Sequence, residues 1–259
     1  MSWDNAVNTI TPHIVKIETP RGYGTGFLAF YNYDKLWCGI ATAAHVVGHS
    51  DEWQEPIRVW HANTPGPMFL TQSQRVIFLD HSTDSAIVFF LKGHLQLPEV
   101  PVALLPVGEP LGIGHDVGWL GYPAIEQSTL CFFAGSVSAP LPARKAYLID
   151  GVAINGVSGG PVIHCDTSSG AVQIIGCVSA YHANRVTGET LPGLLKAQDV
   201  SHFHEVAESV RSIDEANAKK AEFEAAQKAK EASPSPAVAA SAEPESPSQS
   251  TPDSPSEPA

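Results

Sequence analysis

The stretch GVSGGPV at residues 156–162 sets Ser158 among three glycines, with a proline and a β-branched apolar run behind it. A nucleophilic serine needs such a setting. Its backbone must turn sharply, and nearby N–H groups must point at the spot where an oxyanion forms. Gly156 and Gly159 lack a Cβ, so the chain can take dihedrals closed to other residues and let a substrate backbone approach. The N–H groups of Gly156 and Ser158 are then the candidate oxyanion hole, each donor worth about 3–4 kcal/mol to a transition state. Taken alone, the same stretch is a Gly-rich turn between strands. Two further stretches upstream change that reading.

A chain of 259 residues has room for one large all-β domain or two small barrels sharing an interface. A hydrophobic content of 43% supplies a core. The net charge of −12 argues against nucleic acid and anionic membranes, which need a basic face. The start, MSWDNAVNTITPH, has no basic segment followed by an apolar core, so it does not read as a secretory signal. The apolar run from Ala86 to Leu91 is far too short to span a bilayer. Cys38, Cys131, Cys165 and Cys177 lie at no metal-ligand or disulfide-framework spacing. Reduced thiols in a cytoplasm are expected, with a Cys165–Cys177 hairpin disulfide as a minor alternative.

Along the chain, HIVKIET at 13–19 alternates as a half-buried strand does, and PRGYGTGFL at 20–28 turns into a second. Tyr31 to Lys35 reads as a hairpin tip, and Leu36 to Thr42 as the returning strand. That strand runs into AAHVVG at 43–48, where small residues fix the backbone of His45. Residues 51–75 read as loops and edge strands, with Ile57 to His61 strand-like. In RVIFLDHSTDSAIVFFL at 75–91, two β-rich runs flank a polar turn. Asp80 suits the turn itself, and Asp84 leads straight into a buried strand that would hold it still. The Pro-rich segment 98–114 reads as a crossing between subdomains, and further short strands follow up to Val200. Many short strands with Gly/Pro turns predict barrels or a sandwich.

Ser201 can cap a helix whose Phe203, Val206, Val210 and Ile213 repeat at helical spacing and dock on the barrel. Residues 215–232 favour a solvated helix. From 233 onward, Ser and Pro make up 15 of 27 residues with no basic residue, which predicts a disordered acidic tail.

His45, Asp84 and Ser158 thus stand in an order with a chemistry. The serine attacks an acyl carbon, the histidine carries its proton, and the aspartate holds the imidazole in one tautomer.

The blocks TAAHVV, DSAIV and GVSGGPV resemble the active-site blocks of trypsin-like serine peptidases of the chymotrypsin fold. The compact spacing, 39 residues from His45 to Asp84 and 74 on to Ser158, is similar to bacterial members. Asp80 to Val88 and GTGFL at 24–28 look most like the high-temperature-requirement (Deg) branch, here without a following peptide-binding PDZ domain. The resemblance covers roughly residues 10–204. It implies two six-stranded antiparallel β-barrels, about 10–100 and 112–200, followed by a helix at 205–232 and the tail at 233–259. It also implies a triad in the cleft between the barrels and endopeptidase action on protein or peptide substrates, without metal or cofactor. By the same correspondence Val152 floors the pocket for the residue before the scissile bond, and Ser179, Ala180 and Tyr181 form its wall. With no acid at that floor, a small or medium apolar residue is expected there rather than Lys or Arg. Val157 stands where zymogen-activated members carry an acid that pairs with a cut N-terminus, so the site is expected to form without such cleavage.

Other readings compete. Gly156-x-Ser158-x-Gly160 also matches the nucleophile elbow of α/β-hydrolase esterases, but the alternating helices of that fold are missing. A zinc site from Cys165, Cys177 and His182 matches no ligand spacing. The serious rival keeps the fold and leaves the triad idle, as a binding module whose C-terminal helix and tail contact a protein partner.

Overall fold

The computed structural model describes residues 3–232 apart from 153, 167–168 and 185–190, with the side chains of 181–184, 191–193 and 230–232 also outside the description. The expected disordered tail lies outside the described residues.

The chain opens with a helix that the sequence reading did not anticipate, α1 (Trp3–Ile10). Trp3, Ala6, Val7 and Ile10 fall on one helical face, and Ala6 and Ile10 are fully buried. Seven strands then form one antiparallel sheet: β1 (Ile14–Thr19), β2 (Gly22–Tyr31), β3 (Trp37–Ala43), β4 (Ile57–His61), β5 (Met68–Leu70), β6 (Arg75–Asp80) and β7 (Ser85–Leu91). Their order is β5-β4-β1-β2-β3-β7-β6. Helix α2 (Ala44–Glu52) interrupts the run directly after β3.

The second sheet is a closed barrel of β8 (Asp116–Gly121), β9 (Cys131–Leu141), β10 (Ala146–Asp150), β11 (Pro161–Cys165), β12 (Val172–Asn184) and β13 (Leu191–Asp199). The Pro-rich segment between the sheets holds its course by pairing with the start of β12, through Leu105 N–H to Ile174 O and Ile174 N–H to Ala103 O.

Two equal six-stranded barrels were expected; only the second closes with six. The first is a curled seven-stranded sheet with β5 and β6 as its edges. A buried guanidinium explains the difference. Arg75, the first residue of β6, donates to Leu70 O at the end of β5 (2.7 Å), to Ser50 O in α2 (2.9 Å) and to Glu55 O (2.6 Å). The gap between the edges is thus filled by a cation bonded to carbonyls rather than by a β-ladder. One of those carbonyls, Ser50 O, lies in the last turn of α2 and also accepts the Glu55 N–H at 2.9 Å.

Helix α3 (Ser201–Ala232) begins where β13 ends. Asp199, not Ser201, caps it, accepting the Ser201 N–H at 2.9 Å. Phe203, Val206 and Val210 are buried, and Phe203 meets Phe27 edge-on at 5.8 Å. Ile213 does not join them, being 58% exposed, so the docked stripe ends one turn earlier than its spacing suggested. Residues 3–217 make one compact unit; from Ala218 to Ala232 the chain is helix with exposed side chains through 229.

Arg75→Met keeps the apolar stem and removes every one of these donors. We expect a loss of about 3 kcal/mol, because three hydrogen bonds from a buried cation are lost, although Ser50 O keeps the Glu55 N–H. Chemical denaturation of the two proteins measures it; a midpoint within error of wild type would show that the edges hold without the cation.

Candidate active site

His45 sits in the first turn of α2, and the helix start explains its setting. The N-cap position is Ala43, which offers no side-chain acceptor. Asp84 supplies one from the neighbouring strand: its Oδ1 accepts the His45 backbone N–H at 2.9 Å, and its own carbonyl accepts the Ala44 N–H at 3.0 Å. The Asp84 carboxylate also receives the His45 ring Nδ1–H, at 2.9 Å to Oδ2. A carboxylate only accepts, so Nδ1 carries the proton and Nε2 keeps its lone pair. Ser179 Oγ donates to the same Oδ2 at 2.6 Å. Burial pushes the Asp84 carboxyl up, but the bonds from His45 and Ser179 outweigh it and hold its pKa below the ordinary value.

Asp84 reaches this position in a left-handed conformation, with φ of 52°. Asp80 prepares it. Asp80 accepts from Ser82 N–H (2.9 Å), Ser82 Oγ (2.6 Å), Thr83 Oγ1 (2.8 Å) and, more weakly, Thr83 N–H (3.4 Å). This closes the turn between β6 and β7 and delivers Asp84 to the head of β7, as the sequence suggested for both residues.

Ser158 lies in the turn between β10 and β11. Gly156 (φ 91°) and Gly159 (φ 82°) take backbone conformations that side chains disfavour. Space forbids them as well, since a Cβ on Gly159 would lie 2.1 Å from Thr42 Oγ1 and one on Gly156 2.3 Å from Tyr122 O. Two anchored carbonyls fix the neighbouring N–H groups. Asn155 O accepts Ala124 N–H at 2.7 Å, and Val157 O accepts Gly160 N–H at 2.9 Å. In a trans peptide the N–H points opposite its carbonyl. The N–H groups of Gly156 and Ser158 therefore face away from these anchors, and among the described residues neither has a partner.

Thr25 of β2 joins this turn to the first sheet. Its N–H donates to Ser158 O (2.8 Å), and its hydroxyl donates to Gly156 O (2.9 Å) while accepting Tyr122 N–H (3.1 Å). His45, Gly156 and Ser158 line one cavity of about 440 Å³. Among the described residues, Ser158 Oγ and His45 Nε2 form no hydrogen bond, a common state of such pairs without substrate.

Of the residues expected to line the pocket before the scissile bond, Val152 is 55% exposed beside the serine turn, and Ala180 is exposed. Ser179 is buried and turned toward Asp84. The side chain of Tyr181 is outside the described residues. Val157 is fully buried, packed against Gly121. Cys165 and Cys177 pair with Val172 and Pro161 at opposite ends of the β11–β12 hairpin, and all four thiols are free. That rules out the alternative disulfide. It also separates two ligands of the zinc reading; the side chain of the third, His182, is outside the described residues. The sequence reading missed Thr25 and Ser179 as bonding partners; the GTG around Thr25 was its one local signal.

With this geometry in hand, the sequence comparison identifies the class. A family model for the trypsin-like peptidase domain matches residues 24–172, and the chain belongs to that family. Solved structures agree in fold. The chain is similar to the serine endoprotease from Yersinia pestis (TM-score 0.57, 20% identity), covering 81% of this chain and 66% of that one. It is similar to Deg5 (0.55, 22%; 78% and 90%) and to the active form of the Rv3671c protease from M. tuberculosis (0.54, 23%; 77% and 81%). The chain thus spans just under two thirds of the Yersinia protein. No curated protein matches the sequence significantly.

Two variants test the scaffolding. Thr25→Val removes the hydroxyl and leaves Gly156 O and Tyr122 N–H without its bonds, which should cost about 2–4 kcal/mol of stability. An unchanged unfolding midpoint would dismiss the role given to Thr25. For Asp80, burial raises the carboxyl, but the four bonds from Ser82 and Thr83 prevail and hold its pKa down to about 2. A depressed pKa adds stability above the unfolded value of 3.8 and loses it as pH falls through about 2. Asp80→Asn should therefore be about 1 kcal/mol less stable near neutral pH, with the gap closing in acid. Unfolding midpoints across that range measure it, and a gap independent of pH would contradict the argument.

Proposed function

We propose that this protein is a serine endopeptidase that cleaves peptide bonds through an acyl-enzyme on Ser158. The observation that carries the reading is the convergence on one cavity of an oriented imidazole, a serine hydroxyl and two unpartnered N–H groups.

In this scheme Ser158 Oγ attacks the scissile carbonyl carbon while His45 Nε2 takes the hydroxyl proton. Negative charge gathers on the carbonyl oxygen, where the N–H groups of Gly156 and Ser158 receive it. Collapse breaks the C–N bond, and His45 returns the proton to the departing amine. Water then repeats the sequence on the ester, His45 again taking and returning one proton. Asp84 stays ionised throughout, holds the ring by Nδ1 and offsets its transient charge. Substrates are protein or peptide chains, and Val152 in place of an acid favours a small or medium apolar residue before the scissile bond. Four unpaired cysteines favour a reducing compartment such as the cytoplasm.

Incubation with a fluorophosphonate reagent tests the scheme. We expect stoichiometric modification of Ser158, abolished in Ser158→Ala and slowed at least a hundredfold in His45→Ala. Failure of the folded wild-type protein to label would leave an idle peptidase scaffold as the better account.

A further inference from the structure

The cavity beside Ser158 and His45 has a further wall, made by the turn from β1 into β2, with Arg21 and Tyr23. Among the described residues it includes none of β12, the strand whose Ser179, Ala180 and Tyr181 were expected to wall the pocket before the scissile bond. It does include His45, which must hand a proton to the departing amine, and so it lies where the leaving half emerges.

The charges around it are one-sided. Arg21 is exposed, and among the described residues no carboxylate pairs with it. Lysine and arginine side chains nearby already face a carboxylate. Lys16 and Arg58 share Glu18, at 3.0 Å each. Among the described residues no Asp or Glu lines this cavity. The contrast across α2 is sharp. A separate cavity of about 420 Å³ on the other flank of His45 carries Asp51 and Glu52 along with Asp84. In a chain of net charge −12, an unmatched guanidinium at the lip of the nucleophile's cavity is a local exception. A guanidinium fork suits a carboxylate.

We propose that Arg21 makes the leaving-group side of the cleft selective for an acidic side chain, Asp or Glu, one or two residues beyond the scissile bond. The inference rests on the peptidase reading, and it adds a substrate feature and the residue that reads it.

Acyl transfer tests the two separately. The protein is acylated with p-nitrophenyl acetate, and the acyl-enzyme is partitioned between water and the dipeptide amides Ala-Glu-NH2, Glu-Ala-NH2, Ala-Lys-NH2 and Lys-Ala-NH2. Because the readout is a ratio of products from one intermediate, it does not depend on how fast that intermediate forms. We expect at least one Glu-bearing amide to capture the acyl group about tenfold better than its Lys counterpart. In Arg21→Ala the preference should shrink to less than threefold, and in Arg21→Glu it should reverse. Added salt should weaken the wild-type preference. Acylation without any Glu preference, or a preference that survives in Arg21→Glu, overturns this inference and leaves the peptidase reading intact. A protein that releases no nitrophenol through Ser158, judged against Ser158→Ala, sinks the peptidase reading and this inference with it.

Discussion

One threonine ties the two sheets to each other at the point where the chemistry would occur. Thr25 is completely buried, and its N–H, hydroxyl and carbonyl are all used. Two bonds go to the serine turn and one comes from Tyr122 at the end of β8; the fourth, from Thr42 Oγ1 at 2.7 Å, ties it to β3. β3 runs directly into α2 and so places His45. A shift of the second barrel against the first must therefore break several buried hydrogen bonds at once. Each buried group left unpaired costs on the order of 1–3 kcal/mol. The relative placement of nucleophile and imidazole follows from this junction before either side chain contributes anything.

A similar economy governs Asp84. The same carboxylate stands in for the missing N-cap of α2, orients the imidazole and accepts from Ser179 of the other sheet. Helix start and ring orientation are thereby coupled. The left-handed backbone at Asp84 costs on the order of 1 kcal/mol, and several hydrogen bonds to one side chain outweigh it. A longer Glu at this position would have to place its carboxylate differently, which would disturb the helix start as well as the ring.

What the sequence disclosed follows the range of the forces involved. The serine turn, the strand before His45 and the Asp80 turn are local: glycines with positive φ, small residues and an Asx acceptor signal them within a few positions. The strands of the second barrel were legible for the same reason. The open first sheet was not. Its curl depends on Arg75 reaching carbonyls 5, 20 and 25 positions away, and a lone arginine in a strand pattern gives no hint of that. Helix α1 carried its stripe in plain view, but eight residues give little periodicity, and its confirmation is tertiary: Trp3 packs, with its ring tilted, against Phe132 of β9 at 5.3 Å. Ser179 reads as a pocket wall by the family correspondence, which assigns a position and not a hydrogen-bond partner. Its hydroxyl finds Asp84 from 95 positions away.

The burial of Val157 bears on how the site is assembled. An acid at that position would need a cation to follow it into the interior, since an unpaired buried charge costs several kcal/mol. Valine needs none, and it packs against Gly121 within the core shared by both sheets. The work of orienting the N–H groups of Gly156 and Ser158 falls instead to carbonyl anchors inside the second barrel, Ala124 to Asn155 and Gly160 to Val157. The N-terminal segment is meanwhile engaged elsewhere, with α1 lying on β8 and β9 through Trp3 and with Pro12 O bonded to His61 of β4. The first residues described thus strap the two sheets together on their own account, while the serine turn draws its shape from Ala124 and Gly160 on one side and from Thr25 of the first sheet on the other.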